Sequence, residues 1–362
     1  MYIKSTKIKD FRNYEILDLK FNEKVNIILG NNAQGKTNLL ESIYIASIGR
    51  SFRTSKEGEM IRFGQDSAKV EMVFSKYTGD TEIEIQFFSN RKKSIKMDGV
   101  NLKKISQLLD NIYIVIFSPD DLKIVKDEPE KRRKFIDREL CLIRPSYYKD
   151  LLDYKKVLNE RNTYLKENYI DRSMLDIWDA QLAKYGASII SKRREFIREL
   201  SDISGEIHRS ITNNSEDLRL VYKPNVEDEN KLYEILRESD EQDIRMRTTT
   251  KGPHKDDMDF FIKRDGEEIN ARSFGSQGQQ RTSALSLKLA EIRIIKDETG
   301  EDPILLLDDV MSELDLERQK YLIKTLSYNQ LFISAAEMQE SFIKEFPCAE
   351  VFYVSKGKVS KY

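Results

Sequence analysis

Hydrophobic residues in the N-terminal third of the chain follow the spacing of strands, with one helix among them. Residues 25–29 form an apolar run that Gly30 ends, and residues 38–47 then place apolar side chains three and four apart. Alternation of apolar and polar residues follows at 70–74 and 83–87. This part of the chain therefore predicts a strand, a loop and a helix, followed by an antiparallel sheet.

Two further signals complete the prediction for this region. Asp98 and Gly99 form the pair favoured in tight hairpin turns, which supports an antiparallel flank to the sheet. Residues 112–117 are an apolar run closed by Ser118 and Pro119, typical of a buried strand.

Between about Glu130 and Asp240 the apolar residues recur three and four positions apart, as in helices, and Lys, Glu, Arg, Leu and Ile dominate the composition. Strand-like runs return at 303–307 and 330–334, and a final hairpin is expected about Gly357. We therefore predict one α/β domain built from residues 1–128 and 245–362. A helical domain, residues 129–244, interrupts it.

Composition narrows the class of protein. The chain has 362 residues, enough for roughly two domains, and its 61 Lys and Arg balance 62 Asp and Glu to a net charge of -1. No apolar run reaches the ~18 residues that span a bilayer, and the alternating N-terminus does not resemble a secretion signal. Two cysteines without metal-ligand spacing favour a reducing compartment. We expect a cytoplasmic globular protein.

The strongest motif is G-x-x-x-x-G-K-T at residues 30–37, which we call the phosphate loop. Its glycines let the backbone N–H groups wrap phosphate oxygens, and the following helix adds positive dipole charge. Lys36 should reach the β- and γ-phosphates, and the Thr37 hydroxyl should ligate Mg²⁺. The alternative is a chance glycine loop that enters a helix. The predicted nucleotide-binding residues here are Gly30, Asn31, Asn32, Ala33, Gln34, Gly35, Lys36 and Thr37.

An apolar strand at 303–307 ends in two carboxylates, Asp308 and Asp309, which we call the acidic pair. In P-loop nucleotidases the first such carboxylate holds Mg²⁺ and a following one can polarise the attacking water. The alternative is an Asp pair that caps the turn after a buried strand. The phosphate loop upstream favours the functional interpretation.

A Ser-Gln-Gly-Gln sequence at 276–279, which we call the signature turn, precedes a predicted helix. A hydroxyl, free N–H groups and a helix dipole together offer a second anion site, although Ser276 alone would more often be an ordinary helix cap. Residues 312–315, Ser-Glu-Leu-Asp, follow the acidic pair directly and resemble the D-loop of ATP-binding-cassette ATPases.

Phosphate loop, signature turn, acidic strand and D-loop, in that order, resemble the ATP-binding-cassette superfamily, and the helical insertion resembles its SMC-like branch. Further blocks at 49–53, 117–122, 252–257 and 308–315 resemble the bacterial RecF family. Together the blocks extend over essentially the whole chain. The resemblance implies an α/β cassette-type head, with a mixed sheet and an antiparallel flank, and an inserted helical domain.

That resemblance also implies a function. Such a protein is a slow, cytoplasmic ATPase that uses ATP and Mg²⁺, dimerises on ATP, and binds gapped DNA at junctions of single and double strands. It acts with RecR and RecO to load RecA. Catalytic roles would fall to Lys36, Asp308 and Asp309, and Mg²⁺ ligation to Thr37 and Asp308. In the family's ATP sandwich, the second protomer would contribute Ser276, Gly278, Gln279 and Asp315.

The chain departs from the transporter pattern in its signature, which has Gln277 where transporters commonly have Gly, and in the shorter Asp309 where many have Glu. Its only histidines, His208 and His254, do not follow the strand at 331–334 where a switch histidine would stand. These departures count against a transporter subunit, which is the alternative interpretation, and a P-loop kinase would leave both the signature turn and the D-loop unexplained.

Candidate DNA-contacting cations are Arg50, Arg53 and the clusters at 91–93 and 131–134. For each of them an ordinary solvated surface is at least as good an explanation.

Overall fold

The structure is a computed structural model that describes residues 1–77, 79–109, 111–326, 328–338, 343, 345–346 and 348–361. Packing divides the chain into two compact units, Met1–Pro119 with Ile295–Tyr362, and Asp120–Ile294. No helix in the described part of the chain is long and apolar enough to span a membrane.

The strands are β1 Tyr2–Phe11, β2 Tyr14–Lys20, β3 Val25–Leu29, β4 Ser67–Lys76, β5 Gly79–Phe88, β6 Ser94–Met97, β7 Val100–Asn101, β8 Ile114–Phe117, β9 Asp217–Lys223, β10 Asp257–Arg264, β11 Glu267–Asn270, β12 Ile304–Asp308, β13 Leu331–Ala335, β14 Glu350–Ser355 and β15 Lys358–Lys361. The α-helices are α1 Lys36–Ile48, α2 Leu122–Lys126, α3 Pro129–Ile143, α4 Pro145–Tyr164, α5 Arg172–Ile211, α6 Leu232–Glu238, α7 Asp240–Met246, α8 Ala271–Phe274, α9 Gln277–Thr299 and α10 Leu316–Leu326.

The first unit contains two sheets that share a hydrophobic core with α1. One is antiparallel, in the order β2-β1-β4-β5-β6-β7, and the other is mixed, in the order β15-β14-β3-β13-β12-β8, with only β15 antiparallel to its neighbour. Asp98 and Gly99 have positive φ in the turn between β6 and β7, as the hairpin pattern predicts. The predicted mixed sheet with an antiparallel flank is therefore confirmed.

Parallel order in the mixed sheet decides where the site forms. β3 and β12 both pair with β13, so their carboxyl ends reach the same edge of the sheet. Each of the three strands is almost entirely buried, because apolar residues fill both faces. The loops that follow these strands therefore meet, although they lie far apart in sequence.

The second unit combines helices α2–α8, most of α9 and a three-stranded sheet in the order β11-β10-β9. β9 lies inside the block that helical spacing assigned to 129–244, and the uniform helical prediction is wrong there. Leu218 and Leu220 alternate with exposed polar residues, a strand pattern too short to stand out beside the 40-residue helix α5.

The bounds of the units also differ from the predicted domain boundaries. Residues 245–294 pack with the helices, whereas the sequence placed them with the α/β domain. The physical reason is that β10, in that segment, pairs with β9, and Leu218 and Phe260 share one apolar core with α5. A short strand inside the insertion therefore draws the following residues into the second unit.

Candidate nucleotide-binding site and signature turn

The phosphate loop joins β3 to α1 in a tightly enclosed backbone path. Gly30 and Gly35 have φ of 151° and 126°, where glycine is favoured. A Cβ on Gly30 would lie 2.3 Å from the Val354 carbonyl oxygen, and one on Gly35 would lie 3.0 Å from the Tyr14 hydroxyl. Both glycines are therefore required by close approach of β14 and the β1–β2 hairpin.

Gln34 anchors the loop to these neighbours. Its side-chain Oε1 accepts from the Lys356 N–H at 2.7 Å, and its carbonyl oxygen accepts from Asn13 Nδ2 at 2.8 Å and the Gly357 N–H at 3.1 Å. The preceding residues Asn31, Asn32 and Ala33 are exposed. The turn between β14 and β15 therefore packs against the phosphate loop and holds it in place, a role that the G-x-x-x-x-G-K-T motif does not reveal.

Lys36 begins α1 and is only 4% exposed. Its Nζ donates to the carbonyl oxygens of Gly30, at 2.7 Å, and Asn31, at 3.3 Å. The ammonium group therefore lies inside the loop curve, where its charge is partly compensated by backbone oxygens. An anionic ligand in the loop would meet that charge at short range.

Thr37 and the acidic pair lie together at the shared edge of the mixed sheet. Thr37 Oγ1 and Ser334 Oγ both donate to Asp308 Oδ1, at 2.9 and 2.8 Å. Burial raises the pKa of Asp308 above that of an ordinary aspartate, against the lowering effect of these hydrogen bonds. Asp309 has φ of 54°, and its N–H donates to the Ser334 carbonyl and hydroxyl oxygens.

Ser334 is a site residue that the motifs missed. It lies one residue before the end of β13 and hydrogen-bonds to both members of the acidic pair. A single serine within an apolar strand carries no recognisable spacing, so only the pairing of β12 with β13 places it there.

A buried carboxylate on α1, Glu41, binds two arginines close to the phosphate loop. Arg12 Nη2 donates to Glu41 Oε1 at 2.7 Å, and Arg53 Nη1 donates to Asn38 Oδ1 at 2.7 Å and to Glu41 Oε2 at 3.3 Å. Arg53, a candidate DNA contact from sequence, is therefore engaged by α1, and its charge acts to lower the pKa of Asp308.

Two other candidate DNA cations, Arg132 and Arg133, are also held by protein groups. Arg132 is 1% exposed and donates through Nη2 to Asp257 Oδ2 at 3.0 Å, while Arg133 donates to the Asp256 carbonyl oxygen at 2.7 Å. Arg132 is therefore too buried to contact DNA, whereas the exposed Lys131 and Lys134 remain candidate contacts. A run of charged residues does not by itself show which positions of a helix face the core, so the sequence does not reveal that Arg132 is buried.

The signature turn is an exposed helix N-terminus closed by a reciprocal cap. The Ser276 N–H donates to Gln279 Oε1 at 2.8 Å, and the Gln279 N–H donates to Ser276 Oγ at 3.2 Å. Ser276, Gln277 and Gly278 are exposed. The ordinary cap and the anion site are therefore compatible, because the first N–H groups of α9 lack intrahelical acceptors.

The D-loop residue Asp315 caps α10. Its Oδ1 accepts from the Arg318 N–H at 2.9 Å, and this bond, with the Arg318 charge, lowers the pKa of Asp315. Its side chain is half exposed. The proposed contact of Asp315 across a dimer remains a prediction.

The residues present fit a nucleotide with Mg²⁺. Gly30 and Gly35 make a close turn that residues with a Cβ could not form, the Lys36 ammonium lies inside that turn, and the Thr37 hydroxyl and the Asp308 carboxylate lie beside it. Among the described residues, no cluster of three or more His, Cys, Asp or Glu could hold a metal alone. Phosphate oxygens would complete such a site, as is usual for Mg²⁺. The fold and the site together define a P-loop nucleotide-binding head of the cassette type.

The chain belongs to the RecF/RecN/SMC N terminal domain family, whose model matches residues 2–359. The DNA replication and repair protein RecF of Clostridioides difficile (strain 630) is 45% identical, over 99% of this chain and 98% of that protein. The protein of the same name from Clostridium novyi (strain NT) is 43% identical over the full length of both.

Solved structures agree in fold. The recombination mediator protein RecF with ATP, from the RecFOR pathway, superposes with a TM-score of 0.91 at 38% identity and covers 100% of this chain and 97% of that one. An Smc head domain from Pyrococcus furiosus has a TM-score of 0.58 at 17% identity, covering 100% of this chain and 96% of that one. The second likeness shows the fold alone, and the predicted cassette-type head is confirmed.

Proposed function

We propose that this protein is an ATP-driven switch of DNA replication and recombinational repair. The observation that carries the proposal is the hydrogen bond from Thr37 to Asp308, which joins the helix after the phosphate loop to the end of a distant strand. Relatives over the full chain are named as DNA replication and repair proteins, and a structural relative is described with ATP. These relatives do not favour the transporter-subunit alternative.

In this proposal, Gly30 to Gly35 and Lys36 bind the nucleotide phosphates, with Lys36 exchanging backbone carbonyls for phosphate oxygens. Thr37 and Asp308 hold Mg²⁺, which when bound neutralises charge that develops on the phosphates. Asp309 orients the water for hydrolysis. Its side chain is one carbon shorter than the Glu of many cassette ATPases, which supports slow turnover.

Dimerisation completes the site in this proposal. The exposed signature turn supplies Ser276, Gly278 and Gln279 to the nucleotide bound by a second protomer, and Asp315 lies at the same interface. ATP then acts as a clamp between two heads. The assembled dimer recognises gapped DNA at single-strand/double-strand junctions and, with RecR and RecO, promotes RecA loading in the cytoplasm.

Sedimentation velocity with and without Mg-ATP, in the presence and absence of a gapped duplex, tests the proposal. A monomer that becomes a dimer with Mg-ATP, but not with Mg-ADP, and then binds the gapped duplex more tightly than a continuous duplex supports it. A protein that stays monomeric with Mg-ATP, or binds both duplexes equally, contradicts the clamp or the junction preference respectively.

A further inference from the structure

A line of buried polar groups lies behind the signature turn. Gln279 Nε2 donates to Glu216 Oε1 at 2.9 Å, and Glu216 Oε2 lies 3.5 Å from His208 Nε2. Glu216 is 8% exposed and His208 is fully buried near the end of α5. The contact therefore links the exposed turn to the interior of the second unit.

The hydrogen bonds of Ser286 on α9 determine the His208 tautomer. Ser286 Oγ donates its only hydrogen to the Thr282 carbonyl oxygen at 2.8 Å, so it can only accept from His208 Nδ1 at 3.2 Å. Nδ1 therefore carries a hydrogen, and the Nε2 side of the ring faces Glu216. Thr282 in turn donates through Oγ1 to the Gly278 carbonyl oxygen at 2.8 Å, which returns the network to the turn.

Glu216 sets the orientation of the Gln279 amide. An ionised carboxylate accepts hydrogen bonds and donates none, so the NH₂ group of the amide must face Glu216. The amide oxygen is then left to accept from the Ser276 N–H, which closes the cap. Of the described groups, none accepts the hydrogen of the Ser276 hydroxyl, which remains available to an anionic ligand.

Close packing of α5 against β9 brings the carboxylate into place. A Cβ on Gly205 would lie 2.9 Å from the Leu218 carbonyl oxygen, so a larger residue there would push the helix away from the strand. Glu216 directly precedes β9, and its carbonyl oxygen lies 3.3 Å from Thr212 Oγ1, whose single hydrogen is shared with the nearer His208 carbonyl oxygen at 2.8 Å. The position of Glu216 is therefore fixed by backbone as well as by side-chain contacts.

We propose that Glu216 is a positioning residue that holds the signature turn in the geometry required to bind the phosphates of a second protomer's nucleotide. The proposal deepens the proposed function and rests on it for the dimer, but the orientation of Gln279 concerns the monomer alone. No motif in the sequence singles out Glu216, which lies 60 residues before the turn.

The first test measures amide hydrogen exchange over residues 276–280 in the nucleotide-free protein. Glu216→Ala should speed exchange of the Gln279 N–H about tenfold, the loss of ~1.4 kcal/mol of protection. Glu216→Gln should stay near wild type, because its amide oxygen still accepts from Gln279 and its NH₂ group can face His208. Glu268→Ala is the control, since Glu268 pairs with Arg219 at an exposed position of the same unit.

A charge swap covers the case in which Glu216→Ala does not fold. Gln279→Glu keeps the acceptor for the Ser276 N–H, but it places the new carboxylate against that of Glu216. The hydrogen-exchange rate of the backbone N–H at position 279 should therefore rise. Adding Glu216→Gln restores an amide–carboxylate pair in the opposite sense and should return exchange to within about threefold of wild type. Equal exchange in Glu216→Ala and Glu268→Ala, or no recovery in the double variant, overturns the proposal.

The second test compares ATP-dependent dimerisation. Glu216→Ala should weaken it about tenfold while nucleotide affinity of the monomer stays within about twofold of wild type. If wild type itself does not dimerise with ATP, the proposed function fails and the exchange result still judges the role of Glu216. If wild type and Glu216→Ala dimerise equally, the positioning role is wrong and the proposed function stands.

Discussion

The phosphate loop and the signature turn are both glycine-containing helix N-termini, yet they differ in enclosure. The loop is surrounded by β14 and the β1–β2 hairpin, and its Lys36 is already inside it. The turn is open to solvent, and it is held on its buried side by the hydrogen bond from Gln279 to Glu216. The first forms a nearly complete ligand site within one chain, whereas the second offers one side of a site.

That difference separates two kinds of anion recognition. In the loop, charge and backbone N–H groups come from the same segment, so binding should depend on one protomer. In the turn, the dipole and hydroxyl lack a lysine in the 276–279 motif, so affinity for a free nucleotide should be low. The turn should therefore matter only when another surface presents the phosphates.

Substituting Lys36 should produce the largest effect, because it removes the buried cation of the enclosed site. We expect Lys36→Met to weaken ATP binding by at least about 100-fold, corresponding to ~2.7 kcal/mol, and to abolish ATP-dependent dimerisation. Equilibrium nucleotide binding and sedimentation measure both. Lys56→Met, at a highly exposed lysine, is the control. Sedimentation of the Lys36 variant with ATP as a full dimer would contradict the role of Lys36.

Ser276→Arg should separate the two helix N-termini. The bulky cation should reduce ATP-dependent dimerisation about 100-fold by blocking the open turn, whereas nucleotide binding to the monomer should change little. Ser173→Arg adds the same charge at another exposed serine of the second unit and should dimerise normally. If the Ser276 variant instead loses monomer binding, the signature acts within one chain and the sandwich is wrong.

Asp309→Asn should lower turnover about tenfold and leave ATP-dependent dimerisation intact, because a water-orienting carboxylate acts after the nucleotide is bound. Single-turnover hydrolysis and sedimentation together test this. Asp309→Glu provides the complementary variant, with the longer side chain of many cassette ATPases. Unchanged hydrolysis in Asp309→Asn would remove Asp309 from the catalytic step.

Asp308→Asn should have the smallest effect, a gain of about 1 kcal/mol in the free energy of unfolding at neutral pH without nucleotide. Burial raises the Asp308 pKa, so the wild type loses stability as pH rises through the folded-state value, and the variant lacks that loss. Asn Oδ1 can still accept from Thr37 and Ser334.

Denaturant unfolding across pH checks the sign of this difference. The difference in free energy of unfolding between Asp308→Asn and the wild type should grow as pH rises above the ordinary pKa range of aspartate and then level off. Asp80→Asn should show the opposite direction, since the Lys4 hydrogen bond lowers the Asp80 pKa. A gap that closes with rising pH would exclude an unfavourable buried charge at Asp308.

Local sequence patterns were sufficient to predict most of the strands and the first helix of the first unit. Residues 30–37 predicted a loop between strand and helix, and the structure begins α1 at Lys36 and ends β3 at Leu29. The second unit was harder, because the strand pattern of β9 covers only seven residues between helices. Runs of charged residues were also a poor guide to the surface, since Arg132 is buried and forms an ion pair with Asp257, 125 residues away in sequence.

By itself, the sequence determined the chemistry available: a glycine loop with Lys36, an acidic pair after an apolar strand, and a Ser-Gln-Gly-Gln turn at a helix start. Such motifs are local because backbone conformation and helix termini depend on neighbouring residues. Only the tertiary structure decided which distant groups meet them, including Ser334 beside Asp308 and Glu216 beside Gln279. Hydrogen bonds act over about 3 Å, so they require the strand order and helix packing that bring remote segments together.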